Sequence, residues 1–183
     1  MTAHRPAGTL SRVSTLVLTV IGDDRAGLVE AVARVVDEHG GNWENSQLAE
    51  LAGTFAGVIQ VTVPEARSDE LQSALSALEG LLTVAVHQPA EPEGGAGRRV
   101  TFTVLGNDHP GIVRDISGAL HAHGVSIDHL TTRTQDAAMS GGRLFEATVV
   151  ARVPASADLA AVQAELERLA AEIQVDIALA DPA

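Results

Sequence analysis

The chain contains no cysteine, which excludes thiolate metal sites, disulfides and cysteine nucleophiles. Aromatic residues are scarce, with three Phe, one Trp and no Tyr among 183 residues. That removes the stacking platforms with which proteins hold single-stranded nucleic acid. Basic residues are outnumbered, 12 Lys and Arg against 24 Asp and Glu, for a formal net charge of −12. Such a surface repels a phosphate backbone, so no direct nucleic-acid partner is expected. Arg98-Arg99 is a local basic pair and not a basic face. No stretch of ~18 consecutive apolar residues occurs, so no membrane span is expected. Residues 1–14 are polar and lack the apolar core of a signal peptide. They read as a flexible leader on a cytoplasmic protein.

What the chain does contain is a repeat. Gly106-Asn107-Asp108-His109-Pro110-Gly111-Ile112-Val113 follows the apolar run Val100 to Leu105. Gly22-Asp23-Asp24-Arg25-Ala26-Gly27-Leu28-Val29 follows the run Leu16 to Ile21. Gly22 and Gly106, Asp24 and Asp108, Gly27 and Gly111, Val29 and Val113, and His39-Gly40 and His123-Gly124 are each 84 positions apart. Internal duplication at a fixed offset decides the architecture before any local reading does. The chain therefore divides into a leader (1–14), a first domain (15–88), a Pro/Gly-rich linker (89–97) and a second domain (98–180).

Periodicity fills in each copy. Thr15 to Ile21 is a continuous apolar run, expected to be a strand buried on both faces or nearly so. Leu28, Val32, Val35, Val36 and His39 share one helix face, stopped at Gly40. Asn42 to Leu51 and Phe55 to Val63 are strands joined by a turn at Ala52-Gly53, the second ending at Pro64. A helix capped by Ser68 buries Leu71, Ala74, Leu75 and Leu78, ends at Gly80, and is followed by a strand over 81–87. The second copy repeats this order. Its helices run from Ile112 to His123 and from a cap at Ser156 through Leu159, Val162, Leu166 and Leu169. Its strands cover 99–105, 125–134, 143–153 and 173–179, with a polar loop over 135–142. The fold class is thus α+β: two ferredoxin-like β-α-β-β-α-β units, each an antiparallel sheet with helices on one face.

Each glycine-bearing turn lies between a strand and a helix start. The unsatisfied N–H groups there favour an anion such as a carboxylate. Pro110 suits a first helical turn. Asp108 suits either a cap or the ammonium group of a guest. Asp24, Glu44, Asp108 and Asp128 together offer carboxylates for such an ammonium, so the guest these residues fit is a zwitterion.

Other chemistries find less support. His121 and His123 are two apart on a helix and do not share a face, so no metal site is expected. His39 and His123 suit the last helical turn, where a histidine can bond terminal carbonyls. Asp115, Ser117 and His121 lack a nucleophile elbow. Gly94-Gly95-Ala96-Gly97 lacks the Lys-Ser or Lys-Thr of a phosphate loop. An acylphosphatase-like enzyme would need a committed Arg, and Arg25 has only His109 as its counterpart. Trp43 suits an anchor against a strand or domain neighbour.

The strand, Asp-His-Pro-Gly-Ile-Val, helix and Gly-Val-Ser-Ile-Asp pattern resembles the ACT domain. Two copies from about Thr15 to Leu179 resemble the tandem-ACT proteins related to the glycine cleavage system transcriptional repressor. The resemblance implies a non-catalytic regulatory module, without cofactor or metal. It would bind an amino acid where the first turn of one copy meets the start of the second strand of another. It implies as ligand contacts Asn107, Asp108, His109, Pro110, Gly111, Ile112 and Val113, with Ser126, Ile127 and Asp128. In the first copy it implies Asp23, Asp24, Arg25, Gly27, Leu28 and Val29, with Asn42, Trp43 and Glu44. Ala26 stands there in place of the Pro that the pattern carries. A small pocket would favour glycine, serine or a small aliphatic amino acid. The expected partners are a protein such as a transcription factor, and a second copy in a homodimer. The competing expectation is a protein-interaction module with vestigial ligand sites, in which the 135–142 loop and the acidic surface matter most.

Overall fold

The computed structural model describes residues 12–89, 97–136 and 142–180. Residues 1–11 of the expected leader, 90–96 of the linker and 137–141 of the expected loop lie outside the described residues. The chain divides into two compact units at residues 92 and 93.

The first unit runs β1 (Val13–Asp23), α1 (Leu28–Glu38), β2 (Asn42–Leu51), β3 (Thr54–Pro64), a 3₁₀ turn (Glu65–Arg67), α2 (Ser68–Ser76) and β4 (Thr83–His87). The second runs β5 (Arg98–Asn107), α3 (Ile112–Ala122), β6 (Ser126–Asp136), β7 (Arg143–Val153), α4 (Leu159–Ile173) and β8 (Val175–Ala180). The sheets have the orders β2-β3-β1-β4 and β6-β7-β5-β8, antiparallel throughout. Each unit is a ferredoxin-like βαββαβ fold of the α+β class.

Alternation along the strands selects the helix-facing side. Leu16, Leu18 and Val20 of β1 and Ile59, Val61 and Val63 of β3 pack with Leu28, Val32 and Val36 of α1 and Leu71 and Leu75 of α2. Val100, Phe102 and Val104 of β5 and alternate residues of β7 pack with Ile112, Ile116 and Leu120 of α3 and Val162, Leu166 and Leu169 of α4. Each fully buried side chain of this size contributes roughly 1.5–3 kcal/mol. β1 is therefore not buried on both faces as its apolar run suggested. Thr15, Val17 and Thr19 are half-buried and Ile21 is exposed. The apolar run reflects β-branched propensity as much as burial.

Several boundaries move for local reasons. β1 begins at Val13, inside the expected leader. Ser68 is the first residue of α2 and not its cap, because the 3₁₀ turn leads straight into the helix from Arg67. α2 closes at Ser76, before Gly80. The cap of α4 is Asp158, whose carboxylate accepts from the Ala160 amide at 2.9 Å, and not Ser156. Ile173 ends α4 and does not open β8. Gln135 and Asp136 continue β6 and do not belong to a loop. His39 behaves as expected, its Nδ1 lying 2.7 Å from the Val35 carbonyl in the last turn of α1.

Candidate functional site

The two glycine-bearing turns share one construction. Gly27 and Gly111 are the N-caps of α1 and α3, with φ of 92° and 102°. An L side chain rarely adopts this region, which is why glycine stands at both positions. Neither helix start carries a side-chain cap bond. Their leading amides therefore retain the partial positive charge that draws an anion. Pro110 precedes the cap and does not enter the first helical turn. Asp108 does not cap α3. Its amide donates to the Arg143 carbonyl at 2.8 Å, and its carboxylate lies 3.9 Å from the Arg143 guanidinium. In the first turn the Asp24 amide donates to the Gly53 carbonyl at 2.9 Å. Asp23, Asp24 and Asn107 are exposed. Leu28 and Ile112 turn inward and join the two cores, leaving Val29 and Val113 exposed beside them.

Arg25 and His109 occupy the same turn position and are both committed. Arg25 Nη2 donates to the carbonyls of Gly80 and Leu81 at 2.6 and 3.0 Å. Beside it lies an open hollow of about 390 Å³, lined by Ile21, Gly22, Asp23, Thr54 and Leu82 among others. His109 Nε2 lies 3.2 Å from the Ile173 carbonyl, and Nδ1 lies 3.2 Å from the Pro110 carbonyl.

The second group of expected residues opens β2 and β6. Both strands carry a bulge at the same place, where register shifts between Trp43 and Asn45 and between Ile127 and His129. The bulged residues are Glu44 and Asp128. A bulge breaks the alternation of the strand and re-aims the side chain it carries. Glu44 accepts from Asn42 Nδ2 and Thr62 Oγ1, each at 2.9 Å. These two bonds hold its carboxyl below the usual carboxylate range. Asp128 accepts from Arg152 at 2.9 Å and has Arg99 at 3.7 Å. Trp43 is half-buried against the core of its own domain. Ser126 and Asn42 are exposed.

Within each domain these two groups stand at opposite ends of the sheet. Asp23 pairs with Thr54 of β3 while Asn42 pairs with Thr62. Asn107 pairs with Leu144 of β7 while Ser126 pairs with Arg152. Eight residues of strand separate the members of each set, about 26 Å at the usual rise. In neither domain does the register place the turn's polar residues beside the start of its own second strand. Val113 and Ile127 do line one apolar crevice beside α3, but its volume of about 10 Å³ is too small for an amino acid. Among the described residues, no group of three or more His, Asp and Glu side chains is arranged to hold a metal ion.

Sequence reasoning missed the residues that anchor these groups: Gly53, Arg143, Gly80, Leu81 and Ile173 around the turns, and Thr62, Arg99 and Arg152 around the bulges. They become neighbours only through strand pairing. Only the matching offset of Glu44 and Asp128 was visible in the repeat.

Models of the ACT domain match residues 14–87 and 100–171. The glycine cleavage system transcriptional repressor of Escherichia coli (strain K12) is 30% identical over 169 residues, covering 90% of this chain and 88% of that protein. The protein of the same name from Shigella flexneri matches to the same extent. The crystal structure of an unknown protein from Galdieria sulphuraria superposes with a TM-score of 0.85 at 27% identity, covering 94% of this chain and 100% of that one.

Proposed function

We propose that this chain, which belongs to the ACT-domain family, is a non-catalytic regulatory protein that binds a small amino acid and modulates a partner. The single observation that carries this reading is a paired construction. Each domain presents an uncapped helix start at one end of its sheet and a bulged carboxylate at the other. A helix start suits a carboxylate, and a bulged carboxylate that no cation neutralises suits an ammonium. Because they lie at opposite ends, a complete site needs a second copy of the fold. The ligand is then a bridge, and it favours whichever arrangement of copies it fits. Homodimerisation supplies such copies and leaves the exposed edge strands covered.

The ligand proposed is glycine, serine or a small aliphatic amino acid. The similarity to proteins named as glycine cleavage system transcriptional repressors supports a role in the transcriptional control of amino-acid metabolism. With a formal net charge of −12, the partner read by the acidic surface is a protein such as a transcription factor rather than DNA itself. A protein-interaction module with vestigial sites is the competing reading. Titration calorimetry with glycine, serine, alanine and valine decides between them. Saturable binding that is lost in Gly111→Leu supports the sensor. Absence of heat, and of any melting shift at millimolar concentration, overturns it, since a ligand of the native state must stabilise by mass action.

A further inference from the structure

The two domains share a fold and a repeat, but their bulged carboxylates do not share an environment. Glu44 and Asp128 lie 84 positions apart at the same bulge. Around Glu44, Thr62 of β3 pairs with Thr15 of β1 and with Asn42 of β2. Around Asp128, the corresponding Arg152 of β7 pairs with Arg99 of β5 and with Ser126 of β6. Two neutral threonines in the first domain are thus replaced by two arginines in the second. Asp128 is paired with both guanidiniums, at 2.9 and 3.7 Å, and the local charge is +1. Glu44 has two neutral donors, an amide and a hydroxyl. Its lowered pKa traces to those bonds and to no basic neighbour. It carries a full negative charge with acceptor capacity left over.

The turns differ in the opposite sense. The first carries Asp23 and Asp24, with Arg25 drawn off to the carbonyls of Gly80 and Leu81. The second carries Asp108 with Arg143 beside it. A carboxylate meets less repulsion at the second turn than at the first, and of the two bulged carboxylates Glu44 is the one left without a cation for a guest's ammonium. At close range, adding a third cation beside Arg99 and Arg152 costs more than the remaining attraction of one carboxylate returns.

We infer that the ammonium group of the amino acid is received at Glu44 and not at Asp128, so that each chain takes one amino acid although it holds two copies of the fold. This rests on the sensor reading above. The test is calorimetry of the full chain with glycine and with L-serine, on wild type, Glu44→Gln and Asp128→Asn, with circular dichroism to confirm that each variant is folded. The expected results are one site per chain in the wild type, at least a tenfold loss of affinity in Glu44→Gln, and wild-type affinity in Asp128→Asn. Two sites per chain, unchanged affinity in Glu44→Gln, or a tenfold loss in Asp128→Asn overturns this inference while leaving the sensor reading intact. Silence of the wild type toward both amino acids and toward alanine and valine overturns the two together.

Discussion

Asp108 and Arg143 meet twice: the Asp108 amide donates to the Arg143 carbonyl at 2.8 Å, and their charged groups lie 3.9 Å apart. The first contact is backbone and fixes where the turn sits against the end of β7. The second is an exposed pair at long range, worth little to stability. Arg143→Ala should shift the urea midpoint by less than the equivalent of about 0.5 kcal/mol, and the Asp108 amide should stay protected in hydrogen exchange. Loss of that protection would mean that the ion pair, not the backbone bond, holds the turn.

Gly27 and Gly111 test the helix starts. At Gly27 an added Cβ would meet nothing within 4 Å, so a substitution there pays only for backbone strain at positive φ. Gly27→Ala should cost roughly 1–2 kcal/mol in denaturant unfolding. At Gly57 the added Cβ would collide with the Gln47 carbonyl oxygen. Gly57→Ala must push β2 away from β3, so its loss of stability should be the larger. Equal effects at the two positions would contradict this ordering.

The hairpin between β2 and β3 invites a gain. Ala52 and Gly53 have φ of 53° and 78°, the left-handed pair of a type I′ turn. Alanine is poorly suited to the first of these positions, and asparagine is favoured there. Ala52→Asn should raise the melting temperature, by the equivalent of roughly 0.5–1 kcal/mol. A lower melting temperature would argue that the turn has another geometry.

The caps of α4 separate cleanly. Asp158→Ala removes the acceptor of the Ala160 amide and should cost about 1 kcal/mol. Ser156→Ala, at an exposed residue two positions earlier, should stay within about 0.5 kcal/mol. Chemical denaturation of both variants compares them directly.

Glu44 titrates below the ordinary 4.5 because Asn42 and Thr62 donate to its charged form. A depressed folded-state value means that the associated stability is present above the ordinary range and is lost as pH falls through the depressed value. Carboxyl chemical shifts followed by NMR should show the low midpoint. Asn42→Ala with Thr62→Val should return it toward 4.5. A midpoint unmoved by that double change would remove the two hydrogen bonds as its cause.

The order of strands and helices was settled by the sequence itself, because side-chain period and chain-reversing glycines act over a few residues. The duplicated offset placed Gly27 with Gly111 for the same reason, since both mark a local backbone need. Folding alone decided that Asp128 meets Arg99 and Arg152 while Glu44 meets Thr62, that Arg25 is spent on Gly80 and Leu81, and that each turn stands about 26 Å from the start of its own domain's second strand. Those neighbours are set by strand register across long separations in the chain, and a charge is neutral or available according to what register puts beside it.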